Sequence, residues 1–190
     1  EYDELTANER AQKLSRAGAP SFGTTMAVDA QGEILARSNT VMEGYWEQPD
    51  QTDAAIHDGF FHTGDGGIID DDHYEVISDR KKDVIISGGE NVSSIEVEDV
   101  VFQHPDVTEV AVIGIPDEKW GELVTALVVT SPESTLDEAG LIAFTKERLA
   151  GYKCPKRIEF RDELARTATG KLQKFKLREP FWSDAGRQIN

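Results

Sequence analysis

The 190 residues carry 36 acidic against 20 basic side chains, a formal net charge of −16, with 38% hydrophobic residues. This length and apolar content suffice for one packed domain, or a small domain plus a piece of another. The charge argues against general nucleic-acid binding, which is driven by phosphate neutralisation.

The first residues, Glu1-Tyr2-Asp3-Glu4, lack the basic leader and apolar stretch of a signal peptide, and the missing initiator methionine points to a fragment. No apolar run approaches the ~20 residues a membrane span needs. The single Cys154 excludes an internal disulfide and fits a reducing, cytoplasmic setting.

Residues 1 to about 20 read as helical at most. Thr24 to Val28 and Glu33 to Arg37, around Gly32, form a predicted hairpin. A short helix is expected from Thr52 to Ile56. A strand should run from Phe60 to Thr63 and end at Gly64-Asp65. Asp70-Asp71-Asp72 marks a solvated hairpin turn that leads back through Tyr74 to Ser78; the ligand spacing of an EF-hand is missing.

The pattern changes at Asp79. Charged Arg80-Lys81-Lys82-Asp83 gives way to Val84-Ile85-Ile86, then to a Gly88-Gly89 turn, and Ser93 with Glu96 fits a capping box opening a helix. That helix must end before Pro105, with Val97, Val100 and Val101 on its apolar face. Strands follow from Val107 to Ile115 and from Leu123 to Thr130. Thr135 and Glu138 predict a second capping box and a helix to about Leu149, with Gly151 as C-terminal cap. Ile158 to Phe160 is a short strand, and Leu172 to Glu179 a last helix before Pro180. Alternating helices and strands after Ser93 imply an α/β (α+β) domain, with a two-layer arrangement of helices and a short mixed sheet.

Charge is unevenly spread. From Gly151 to Arg178 nine basic residues stand against three acidic ones, a net +6 on an acidic chain. An anionic ligand met locally would explain it, and so would a solvated face. The four histidines show no metal-ligand spacing.

Three stretches together resemble the adenylate-forming enzymes: acyl-CoA synthetases, luciferases and peptide-synthetase adenylation domains. They are Phe61-His62-Thr63-Gly64-Asp65, the joint from Asp79 to Glu98, and Thr167-Ala168-Thr169-Gly170-Lys171. The resemblance covers the C-terminal part of an AMP-forming acyl-CoA synthetase. It implies that residues 1–81 are the β-rich tail of a large ATP- and acyl-binding domain. Residues 82–190 would be a mobile C-terminal domain. The family's phosphate loop would lie upstream in a missing N-terminal domain, so the fragment alone should be inactive.

The resemblance also implies roles. Asp65 matches the aspartate that holds the ribose hydroxyls of ATP and AMP, and Arg80 a nucleotide contact. Lys171 matches the lysine that serves adenylation, although Leu164-Ala165 stands where Leu-Pro is usual. Lys82 matches the hinge. Gly88, Gly89 and Glu90 match the tunnel for the pantetheine of coenzyme A, Trp120 a position near its nucleotide, and Cys154 and Lys156 the segment at its phosphates. Ordinary structural roles remain open for each: a Gly-Asp turn, a surface arginine, a solvated linker lysine, a hairpin turn, a packed tryptophan. The implied cofactors are ATP with its Mg²⁺ and coenzyme A, and the implied substrate a carboxylic acid, fatty acids first. The alternatives are a carrier-protein or oxygen acceptor, or a stand-alone nucleotide-binding or interaction module.

Overall fold

The structure, a computed structural model, describes residues 4–183. The chain divides into two compact units, Glu1–Lys81 and Lys82–Asn190.

In the first unit, helix α1 (Ala7–Leu14) starts at a complete capping box: Thr6 accepts from the Glu9 N–H, and the Glu9 carboxylate accepts from the Thr6 N–H. Strands β1 (Thr25–Val28) and β2 (Glu33–Arg37) form the expected hairpin. Helix α2 (Pro49–Ala55) opens on a proline, whose missing N–H costs nothing there. Strand β3 (Ile56–His57) follows, then β4 (Phe60–Ile69) and β5 (Glu75–Arg80), giving an antiparallel sheet in the order β1-β2-β4-β3 with β5 on β4.

Strand β4 does not end at Gly64-Asp65. Positive φ at Gly64 bends it, and a register shift between Gly66 and Gly67 lets pairing with β5 continue to Ile69. Gly67 allows the close approach, since a Cβ there would sit 2.4 Å from the Val76 carbonyl. The acidic turn is not simply solvated. Asp70 and Asp72 both accept from Arg16, Asp72 also accepts from Lys13, and Arg16 stacks 3.9 Å above the Tyr74 ring. These contacts tie α1 to the β4–β5 turn. They matter because Ile34 is the one buried hydrophobic side chain among this unit's described residues.

A single 3₁₀ turn (Lys81–Asp83) carries the chain from the first unit into the second, where hairpin β6 (Ile85–Ser87) and β7 (Glu90–Val92) follows. Helix α3 (Ser94–Phe102) stops short of Pro105 and is capped by Ser93, whose Oγ accepts from the Glu96 N–H. The Glu96 carboxylate accepts from Lys153. Strands β8 (Val107–Asp117) and β9 (Gly121–Thr130) form a long antiparallel hairpin, and β10 (Arg157–Phe160) joins β9 in parallel, making the sheet mixed.

Helix α4 (Glu138–Lys146) is capped by Asp137, which accepts from the Gly140 N–H; Thr135 lies two residues outside it. Its C-cap is Glu147, so Gly151 plays no capping part. Helix α5 (Lys174–Trp182) runs through Pro180 instead of stopping before it. Leu177 and Phe181 pack into the core, and the Trp182 indole N–H donates to the Gly114 carbonyl at 3.0 Å; these anchors offset the lost backbone bond.

Period-two alternation decides where the cores sit. Val112, Val124, Ala126 and Val128 face α3 and α4 with Val97, Val101 and Leu141. Ala111, Ile113, Ile115 and Leu127 face the other way, packing with Leu164 and α5. The expected layer of helices on the sheet is present, and α5 covers the opposite face.

Candidate functional site

In the first unit the register of β4 and β5 sets Asp65 opposite Arg80, and Arg80 Nε lies 3.3 Å from Asp65 Oδ1. Sequence reasoning named both residues, and the sheet brings them together. Their side chains are 32% and 60% exposed, so a ligand could still reach them. The approach to Asp65 is fixed by Thr63, which donates to the Ile34 carbonyl at 2.6 Å and accepts from the Asp65 N–H.

A residue given no role in the sequence reading holds the same bend. Glu33 is buried, and its carboxylate accepts from the Gly64 N–H at 2.8 Å and from Lys81 Nζ at 3.0 Å, with His62 Nδ1 at 3.3 Å. Burial alone would push the Glu33 carboxyl up. The bonds from Lys81, Gly64 and His62 outweigh it and hold the group below the usual glutamate value. Its partners lie 29 to 48 residues away along the chain, so no local motif could have announced it.

Glu33, Thr63 and Gly64 also line a cleft of about 470 Å³, shared with Tyr45, Gln51 and the stacked rings of His57 and His62, 3.7 Å apart. Asp29, Glu33 and His62 bring ligand-type atoms within 4.8 Å of one another, a grouping the spacing of the histidines did not reveal. The Lys81 ammonium already neutralises Glu33, and an Asp29 oxygen already accepts from the Gln31 and Glu33 N–H groups. The cluster fits an ion-paired brace better than a metal centre.

In the second unit Gly88 and Gly89 both have positive φ, at 63° and 85°, the conformation a two-residue hairpin of this hand requires. The turn packs on Trp120. Gly88 N–H donates to the Trp120 carbonyl at 2.8 Å, and a Cβ on Gly88 would lie 2.9 Å from the indole. Trp120 is set by Asp117, whose Oδ1 accepts from the Lys119 and Trp120 N–H groups. Two ammoniums flank the half-buried ring, Lys119 Nζ at 4.9 Å and Lys156 Nζ at 5.8 Å from its centroid. Gly88, Trp120 and Lys156 are therefore brought together, and Gly89 and exposed Glu90 complete the same hairpin. Lys153, three residues before Lys156, instead pairs with Glu96, whose hydrogen bond pushes its ammonium up.

Cys154 is a correction. It was expected among the contacts to coenzyme A, but it is fully buried, with Sγ facing the carbonyls of Leu149 and Ala150. The chain turns there through an apolar anchor, so the thiol cannot meet a phosphate.

Lys171 follows Gly170 (φ 83°) in a tight loop. The Thr167 N–H donates to the Lys171 carbonyl at 2.8 Å, the Lys171 N–H to Thr167 Oγ1 at 3.0 Å, and Arg166 to the Gly170 carbonyl at 2.8 Å. The Lys171 side chain itself is exposed. Arg166 ties this loop to Glu109, which pairs with Val129 at the open end of the β8–β9 hairpin. Trp120 lies beyond Asp117, at the closed end. Eight residue-to-residue steps along the strand carry Glu109 to Asp117, roughly 27 Å at the antiparallel rise. The unit thus displays the exposed Lys171 ammonium at one end of its longest hairpin and a glycine turn with an indole and two lysines at the other. Lys82, at the start of the unit, is exposed within its 3₁₀ turn.

The family model described as the AMP-binding enzyme C-terminal domain matches residues 96–171. A feruloyl-CoA synthase from Amycolatopsis is 42% identical over 181 residues, 90% of this chain and 37% of that protein. The long-chain-fatty-acid–CoA ligase FadD13 of Mycobacterium tuberculosis is 41% identical over 186 residues, 93% of this chain and 37% of its own. Among solved structures, ATP-bound MatB from Rhodopseudomonas palustris superposes with a TM-score of 0.84 at 37% identity, covering 91% of this chain and 37% of MatB. The chain spans a little over a third of the length of these relatives.

Proposed function

We propose, from the match of residues 96–171 to the AMP-binding enzyme C-terminal domain, that the chain works as part of an AMP-forming acyl-CoA synthetase. Residues 1–81 are then the tail of the ATP- and acyl-binding domain, and residues 82–190 the mobile C-terminal domain, turning about Lys82. In the first half-reaction a carboxylate oxygen attacks the α-phosphorus of Mg²⁺-bound ATP and pyrophosphate leaves. Asp65 accepts hydrogen bonds from the ribose hydroxyls, Arg80 contacts the nucleotide, and the Lys171 ammonium neutralises charge developing at the α-phosphate. In the second, the thiol of coenzyme A attacks the acyl carbonyl and AMP leaves. Gly88, Gly89 and Glu90 line the pantetheine path, Trp120 offers a face to adenine, and Lys156 meets a phosphate. The protein acts in the cytoplasm, and a fatty acid is the first substrate to test.

The observation that supports this reading best is the separation of Lys171 from the Gly88–Trp120–Lys156 group along one rigid hairpin. A body with two such ends can complete two different transition states at one place only by turning. The test is Lys171→Ala in the complete enzyme. Pyrophosphate release from acid and ATP should fall by about 10²–10³-fold, while thioester formation from supplied acyl-adenylate is retained. Equal loss of both half-reactions would refute the assignment.

A further inference from the structure

The backbone around Lys82 is gripped from both sides. Upstream, Arg80 is paired in register with Asp65, and Lys81 Nζ donates to buried Glu33 at 3.0 Å. Downstream, Arg178 of α5 donates to the Lys82 carbonyl at 2.9 Å and pairs with the Asp83 carboxylate; both of these side chains are mostly buried. Helix α5 cannot easily follow a displaced turn. Lys174, one helical turn before Arg178, reaches Ser94 Oγ at 2.6 Å and Glu98 Oε1 at 2.8 Å on α3.

The consequence follows from where the Lys82 carbonyl sits in the chain. It moves with everything downstream of the Lys82 Cα–C bond. Fixing it together with Asp83 removes the Asp83 torsions from any rotation. The grip on Arg80 and Lys81 removes those upstream. What remains free is ψ of Lys81 and the two torsions of Lys82. We propose that Glu33 with Lys81, and Arg178 with Asp83 and the Lys82 carbonyl, form a two-sided clamp that confines the swivel to Lys82. Glu33 and Arg178 are thereby positioning residues. This rests on the reading of Lys82 as a pivot, and the experiment separates the two ideas.

Spin labels at Gln31→Cys and Glu133→Cys, both exposed and one in each unit, report the distance distribution between the units by pulsed electron paramagnetic resonance. Cys154 is fully buried and stays unlabelled. Lys82→Pro, which fixes φ, should narrow or shift the distribution. Arg178→Gln and Glu33→Gln should each broaden it, and tryptic cleavage after Lys82 should rise about tenfold in Arg178→Gln, as expected for losing charge-assisted bonds. Arg178→Lys keeps the pairing with Asp83 and should fall between; it also serves if Arg178→Gln does not fold. Leu177→Ala, which loosens α5 without touching the clamp, should lower Tm and leave the distribution unchanged. If Lys82→Pro alters the distribution but neither clamp variant does, the clamp is wrong and the pivot stands. Broadening by only one of them overturns the two-sided form. A distribution indifferent to Lys82→Pro overturns the pivot and the clamp with it.

Discussion

The Gly88 amide donates to the Trp120 carbonyl at 2.8 Å, and the indole lies 2.9 Å from where a Cβ on Gly88 would be. Turn and ring therefore fix each other. Gly89 has the same left-handed backbone but open space around it. Gly89→Ala should cost about 1 kcal/mol, the strain of positive φ alone. Gly88→Ala should cost more, about 2–3 kcal/mol, because the ring must also move. In the complete enzyme it should raise KM for coenzyme A and leave adenylation unchanged. Urea denaturation and half-reaction assays check both, and equal costs at the two glycines would deny the packing role.

The Lys174–Glu98 pair has side chains 13% and 17% exposed, and Glu98 Oε1 also accepts from the Val112 N–H. Removing one partner leaves a charge with little solvent. Lys174→Ala should therefore destabilise by about 2–4 kcal/mol. The double variant with Glu98→Ala should lose less than the sum of the two single losses. A double-mutant cycle in denaturant with no coupling would show that the contact is incidental.

Glu33 gives the first unit a predictable response to acid. Its folded value lies below the ordinary 4.5, so ionised Glu33 contributes stability that is fully present above that value. The contribution is lost as pH falls below 4.5 and through the lower folded value. Asp70 and Asp72, held down chiefly by hydrogen bonds from Arg16 and Lys13 respectively, titrate in the same sense. Denaturation midpoints measured from pH 6 to 3 should fall more steeply for the wild-type chain than for Glu33→Gln. Parallel curves would mean that the Lys81–Glu33 contact contributes nothing.

Cys154 should be inert in the folded protein. Its Sγ is fully buried against two carbonyls, so a thiol reagent can reach it only through opening of the second unit. Labelling should follow the global unfolding rate across denaturant concentrations. Rapid labelling under native conditions would contradict the packing of the Tyr152–Lys156 segment.

The parts of this molecule that local chemistry dictates were readable in advance. The paired glycines at 88 and 89 demand a tight hairpin, Ser93 a helix start, and the β-branched run from Val107 a strand. Where two local signals competed, tertiary packing chose. Asp137 displaced Thr135 as the cap of α4, and Phe181 and Trp182 carried α5 past Pro180. Asp65 and Arg80 were named only through the resemblance, and strand register, which no local pattern announces, is what pairs them. Glu33 and Arg178 were invisible because their partners are brought to them by the sheet and by α5, across 48 and 95 residues. Cys154 misled for the opposite reason: it stands between Lys153 and Lys156 in sequence, yet it turns inward with Pro155 while Lys156 is exposed.

Among the described residues, every side chain in the two apolar clusters of the second unit falls between Ile85 and Phe181. Such a body should survive transplantation. Evolution or an engineer could graft it as a cassette behind a different acid-selecting partner, carrying its own interior with it and needing only a matching seam at the joint.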